Sequence, residues 1–327
     1  MNKGAPEASA RAGRRIGVER PGAAGAKSGL SVVALGGGHG LAAALRAIRT
    51  YAQRTTAVVS IADDGGSSGR LRRELDVPPP GDLRRCLVAL ADPDNLWANA
   101  FEHRFTGGDL DGHALGNLVL VGLAETLGDF SAAVDEAGRL LGAVGRVLPA
   151  TTEPVVLKAQ VDSGSPGGSS VEGQVAVAST RSRIRRVDLV PGDARAHPEA
   201  VAAIAAADQV VIAPGSLFTS VLPVLAVAEL RKAVAATNAR VVQVCNLRSE
   251  VPETEGLDAA DHLRAVIEHG GRVDSFLYED GGLLACEPSA VEELGAEPVA
   301  GRVATASGLV HDPVRLATTL RDLLESG

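Results

Sequence analysis

The chain has 327 residues, 45% apolar and 22% charged, enough for a buried core in one large α/β domain or two ordinary ones. Five Phe, two Tyr and one Trp argue against stacking platforms for single-stranded nucleic acid, and a net charge of −8 argues against DNA binding by phosphate neutralisation. Glycine is abundant at 38 residues, and the motifs show where it is used.

Residues 1–29 hold six basic and two acidic groups, a net +4, which leaves −12 on the remainder. This stretch has no apolar period and no signal-peptide core, so a disordered basic tail is expected. Residues 31–35 form an apolar run, followed by Gly36-Gly37-Gly38-His39-Gly40 and then a helical pattern over 41–48. Strand, glycine turn and helix together suit an anion, because the backbone can approach closely and the helix aims free N–H groups at it. Gly38-x-Gly40-x-x-Ala43 also fits the dinucleotide fingerprint. The plain alternative is a tight turn that needs positive φ.

Residues 57–61 read as a second strand, ending in Asp63-Asp64-Gly65-Gly66-Ser67-Ser68-Gly69-Arg70. Adjacent carboxylates can hold Mg²⁺ or accept ribose hydroxyls, Ser67 and Ser68 offer donors, and Arg70 offers a fork for phosphate. A simple helix cap by Asp64 or Ser67 is the alternative. At 78–85, Asp82 either caps the next helix or acts in a site. Arg84 and Arg85 oppose that helix's dipole, which favours a nearby anionic ligand. Helices are expected over 83–91, 117–127 and 131–141. The glycine-rich loop 107–117 carries His113 and leads to Asn117.

Alternating residues over about 152–190, with a Gly/Ser-rich turn at 163–170, suggest short antiparallel strands inserted into the fold. The α/β rhythm returns with a strand at 209–213 and a turn at Gly215-Ser216. A helix carrying Thr219 follows over 217–230, then a strand at 241–245 ending at Asn246, a helix at 258–268 and a strand at 273–278. The longest uncharged stretch, 210–228, contains Pro214, Gly215 and Pro223, so no membrane span is expected. Three scattered cysteines without C-x-x-C fit a reducing cytoplasm.

Uninterrupted apolar strands alternating with helices imply a mostly parallel, Rossmann-like α/β sheet with helices on both faces. A single domain over 30–327 is expected, with ligands beyond the carboxyl ends of its strands. Several phosphate-type loops at one edge point to a nucleotide with a diphosphate. No nucleophile–base pair is visible.

The ordered motifs 36–41, 62–71, 78–84, 112–117, 146–151, 215–220 and 245–247 resemble the bacterial gluconeogenesis factor family of YvcK type, which is similar to the CofD-like 2-phospho-L-lactate transferases. The resemblance covers about residues 31–280. It implies a cytoplasmic regulator that binds UDP-sugars such as UDP-N-acetylglucosamine, is needed for cell shape and wall synthesis on gluconeogenic carbon sources, has no defining enzymatic activity, and favours homodimers. In the transferase relatives it implies Mg²⁺-assisted phosphoester transfer, with Asp82 in the segment that contacts the acceptor. His39 departs from the family, where threonine is usual. An NAD-dependent oxidoreductase is a third reading, resting on the fingerprint at Gly38 and the acid at Asp63.

Overall fold

Runs such as Val32–Leu35 and Val210–Ala213 can only be satisfied when both faces of a strand are covered, and the chain arranges them accordingly. The computed structural model describes residues 29–162 and 169–325; the expected basic tail lies outside the described residues, apart from Gly29, as does most of the Gly/Ser turn at 163–170. The strands in chain order are β1 (Ser31–Gly36), β2 (Arg54–Val59), β3 (Arg146–Pro149), β4 (Val156–Val161), β5 (Ser169–Glu172), β6 (Ile184–Val190), β7 (Gln209–Ile212), β8 (Arg240–Val244), β9 (Ser275–Glu279) and β10 (Glu297–Gly301). Seven of them form a wholly parallel sheet in the order β10-β9-β8-β7-β1-β2-β3. The other three form a separate antiparallel sheet, β5-β4-β6.

The strand order fixes where a ligand can enter. From β1 the chain steps outward to β2 and β3, and from β7 it steps the opposite way to β8, β9 and β10. Right-handed crossovers then place the connecting helices on opposite faces, and a crevice opens between the carboxyl ends of β1 and β7. Val33 and Ala34 pair with Val210 and Val211 in this central seam, and all four are fully buried. Complete burial of a valine stabilises by roughly 1.5–3 kcal/mol relative to exposure. The seam is therefore a rigid platform for the loops above it.

The helices that matter for the site are α1 (Gly38–Ile48), α2 (Gly66–Leu75), α3 (Gly81–Leu90), α4 (Leu96–Glu102), α5 (Leu115–Leu127), α6 (Phe130–Leu141) and α7 (Gln174–Ser179). α1 packs on α3 and on the last helix, Pro313–Glu325. Its buried stripe is Leu41, Ala42, Ala44, Leu45, Ala47 and Ile48. Among the described residues no helix is long and apolar enough to cross a membrane.

Three local expectations are corrected. The acidic segment 63–70 is not all loop: α2 begins at Gly66, so Ser67 and Ser68 lie in its first turn. The inserted region is not strands alone, since α7 follows β5. Its amino end is held by the Asp64 carboxylate, 110 residues away in sequence from Gln174, a contact no local pattern reveals. The single helix expected over 217–230 is three pieces: a π-turn at Leu217–Val221, a helix at Leu222–Ala226 and another at Ala228–Ala236. Pro223 lacks a donor and sits in the first turn of the second piece, and Val227 is extended, which breaks the run. Residues 217–222 are buried all round, so they carry no amphipathic period to mark these joints.

Candidate functional site

A cavity of about 350 Å³ opens at the carboxyl edge of the sheet, above β1 and β7. Its walls come from the turn after β1, the first turns of α2 and α3, and the turn after β7. Close approach of the two central turns depends on glycine. A Cβ on Gly40 would lie 1.9 Å from the Pro214 carbonyl oxygen, which the backbone cannot accommodate. Asn246 holds the opposite turn: its Oδ1 accepts from the Gly215 N–H at 2.8 Å and its Nδ2 donates to the Gly215 carbonyl at 2.9 Å.

Asp82 stands in the first turn of α3 and reaches across to α1. One carboxylate oxygen accepts from the Gly38 N–H at 2.8 Å, and the other accepts from Arg85 Nη1 at 2.6 Å. The amino end of α1, where a ligand anion was expected, thus already holds an internal carboxylate. The same device recurs nearby. Asp64 accepts from Gln174 and Val175 N–H groups at 3.0 and 2.9 Å, which caps α7. Glu253 is buried and accepts from the Phe218 and Thr219 N–H groups at 2.7 and 3.2 Å. Burial pushes the Glu253 carboxyl up to about 7, against the opposing effect of those N–H groups.

Asp63 lines the cavity. Its Oδ1 accepts from the Gly65 N–H at 3.0 Å, and burial, with the nearby Asp82, raises its carboxyl above the usual range. Beside it, Ser68 Oγ accepts from the Gly81 N–H at 3.1 Å. Arg84 is fully buried, a costly position for a guanidinium; desolvation lowers it to about 10 despite Glu102 at 3.4 Å. Its Nε has no partner. Gly116 makes room for this packing, since a Cβ there would lie 2.9 Å from Arg84 Cγ. His39 is held below its ordinary value by burial and by Arg85.

Of the residues singled out from the sequence, the fold brings Gly37, Gly38, His39, Gly40, Asp63, Ser67, Ser68, Asp82, Arg84, Asn117, Gly215 and Ser216 into the cavity wall. Gly36, Asp64, Arg70, His113, Thr219 and Asn246 are placed elsewhere. Gly36 ends β1, where its carbonyl accepts from the Ser60 N–H at 2.9 Å. Arg70 donates to the Asp111 carbonyl, bracing α2 against the loop that carries His113. Thr219 Oγ1 donates to Glu253 at 3.1 Å. Since Asp64 caps α7, the expected Asp63–Asp64 pair does not offer two carboxylates to one ion. Among the described residues no group of three or more acids, histidines or cysteines is arranged to hold a metal. The geometry instead sets Asp63 and Asp82 in one wall.

The cavity also takes Arg104, Gln174, Ser220 and Glu250, which the sequence reading did not single out. Gln174 and Glu250 lie in segments without any motif, and only the fold brings them to the rim. Arg85, also in the wall, carried a visible signal: a second cation at a helix amino end.

Comparison with known proteins gives the chain's family and fold. The family model for 2-phospho-L-lactate transferase CofD matches residues 32–302. The putative gluconeogenesis factor of Mycobacterium tuberculosis H37Rv is 47% identical over 88% of this chain and 89% of its own. The chain belongs to the gluconeogenesis factor family, within the wider CofD family. The family's protein in Bacillus subtilis, named gluconeogenesis factor, is 37% identical over 90% of this chain and 98% of its own. A crystal structure of a UPF0052 family member from Bacillus halodurans superposes with a TM-score of 0.84 at 36% identity, covering 90% of this chain and all of that one. The seven-stranded parallel sheet and the small antiparallel sheet thus belong to a fold this family shares.

Proposed function

We propose that the cavity binds a nucleoside diphosphate sugar of the UDP-N-acetylglucosamine type, and that the chain acts as a ligand-sensing regulator of cell shape and wall synthesis during growth on gluconeogenic carbon. The observation that carries the reading is the convergence of three strand-to-helix turns on one cavity that also holds Arg84, Arg85 and Arg104. Arginine forks match phosphate geometry, and glycine turns admit the diphosphate close to the backbone. Few aromatics are available, so the base is held by backbone, amide and aliphatic groups. Titration calorimetry with UDP-N-acetylglucosamine tests the reading. Saturable binding at physiological concentrations is expected, and no heat up to millimolar ligand would sink it. The cytoplasm is the proposed compartment and a homodimer the proposed state, with sedimentation equilibrium as the check on the latter.

A second reading, a Mg²⁺-dependent phosphoester transferase, is favoured by Asp63 and Asp82 facing one cavity and by the CofD family match. A diphosphate beside Asp63 brings like charges together, and Mg²⁺ suits a site of one or two carboxylates completed by ligand phosphates. Asp63 would hold the ion, with Asp82 in the same wall but engaged by Gly38 and Arg85, and the ion would neutralise charge on the transferred phosphoryl group. Asp64 does not join them. If added Mg²⁺ changes neither ligand affinity nor turnover of candidate phospho-donors, this second reading fails.

A further inference from the structure

The fold assembles a hydroxyl–imidazole pair from residues 46 apart in sequence. Ser67 Oγ lies 3.0 Å from His113 Nδ1, and Asn117 Nδ2 donates to the same Oγ at 3.0 Å. All three side chains are buried, yet Ser67 and Asn117 line the cavity. Asn117 Oδ1 is buried without a partner. An amide oxygen without a protein partner at the edge of a cavity is open to a group that enters it. Asn117 fills one lone pair of the serine oxygen, so the hydroxyl hydrogen is free to point at Nδ1. That requires the tautomer with its hydrogen on Nε2. Burial, with Arg70 nearby, holds His113 below its ordinary value, so the ring is neutral and able to accept a proton. Ser67 also sits in the first turn of α2, whose backbone N–H groups have no intrahelical acceptor and suit a developing negative charge.

We propose that Ser67 is a nucleophilic hydroxyl, with His113 as its base and Asn117 as its positioning residue, acting on a phosphorus centre of the ligand in the cavity. The substrate class rests on the nucleoside diphosphate sugar reading above. Ser67 Oγ attacks one phosphorus of the phosphoanhydride. The Oγ–P bond forms and the bridging P–O bond breaks, its electron pair leaving on the departing phosphate oxygen. The serine proton passes to His113 Nδ1. The group on Ser67 is then open to attack by a second hydroxyl or by water: the Oγ–P bond breaks, His113 Nδ1 returns the serine proton to the departing Oγ, and the proton of the attacking group is lost to solvent, which leaves the ring neutral again.

Reactivity can be read without any nucleotide. The full chain is incubated with a small alkyl fluorophosphonate, in which attack by Ser67 expels fluoride, and the adduct is located by intact mass and peptide mapping. A single adduct on Ser67 is expected, absent in Ser67→Ala and formed at least tenfold more slowly in His113→Gln and His113→Asn. Thermal melts establish that each variant is folded. In Ser67→Cys, alkylation of the new thiol by iodoacetamide should slow at least tenfold when His113→Gln is added. No adduct on Ser67, or labelling indifferent to both His113 replacements in folded protein, overturns the proposal. Calorimetry on the same preparation separates the two ideas: labelling without nucleotide-sugar binding defeats the ligand reading and leaves the nucleophile, while binding without labelling does the reverse.

Discussion

Asp63 and Asp64 are neighbours in sequence and serve different ends. Asp63 faces the cavity, while Asp64 caps a helix from the inserted region. Asp64→Ala is therefore expected to cost about 0.5–2 kcal/mol of stability, as for loss of a helix cap, and to leave nucleotide-sugar affinity unchanged. Urea unfolding and calorimetry on one variant check both halves. Arg85→Ala should weaken the ligand by about 1.5–3 kcal/mol, the size of a lost charge-assisted hydrogen bond, while Arg70→Ala should not. Equal affinity losses in the two variants would contradict the assignment. Glu253 gives a pH test with a defined sign. Its folded-state carboxyl lies near 7 against an ordinary 4.5, so the folded chain holds a proton that the unfolded chain releases between those values. Stability therefore falls as pH rises from about 4.5 to about 7 and is level above that. Glu253→Gln keeps an acceptor for Phe218 and Thr219 and removes the ionisation. Unfolding at pH 5 and pH 8 should show a Glu253-dependent loss of order 3 kcal/mol at most in the parent chain, absent from the variant. The motifs made Asp63, Asp82 and Arg84 visible in the sequence. The orientation of Asp64 was not visible, because it depends on a partner more than 100 residues away.

At the level of elements, the glycine turns do different physical work despite looking alike in sequence. Gly40 has no room for a side chain, since Pro214 of the neighbouring turn lies against it. Gly38 has open space but a φ of +62°. Gly40→Ala should force the carboxyl ends of β1 and β7 apart and cost about 3 kcal/mol or more. Gly38→Ala should cost only about 1–2 kcal/mol, the ordinary penalty for a left-handed alanine. Chemical denaturation of both variants checks the order, and a reversal would mean the two turns are not in contact. Strand identity was legible because a strand covered on both faces is apolar along its inner run, as Val32–Leu35 of β1 and Val210–Ile212 of β7 are. The joints in 217–236 were not legible. A stretch buried on every side carries no periodic signal, and Pro223 is compatible with the start of a helix as well as with its end. Antiparallel pairing in the inserted region could be read, because β4 alternates between buried and half-buried or exposed residues; α7 could not, because its cap is remote.

At the scale of the whole molecule, the proposed ligand site lies at a seam between two halves of the sheet wound in opposite directions. A ligand that touches the turns after both β1 and β7 ties those halves together, so binding should be seen as global stabilisation. At a hundred times Kd, mass action gives about 2.7 kcal/mol, readable as a rise in melting temperature. The parallel order and the crevice could be inferred from strand rhythm; the pairing of Gln174 and Glu250 with one rim could not, since only the folded chain makes them neighbours. One further property follows from Asp82 bonding to Gly38 and Arg85. The protein carries its own counter-anion at the amino end of α1, so a phosphate of the proposed ligand would displace a carboxylate rather than enter a free seat. A free inorganic phosphate exchanges one anion for another and gains little. A larger ligand brings a base and a sugar as well, and those added contacts tip the exchange. Under the proposed reading, the turn that looks most like a general phosphate trap would work as a filter against the small anions that crowd every cell.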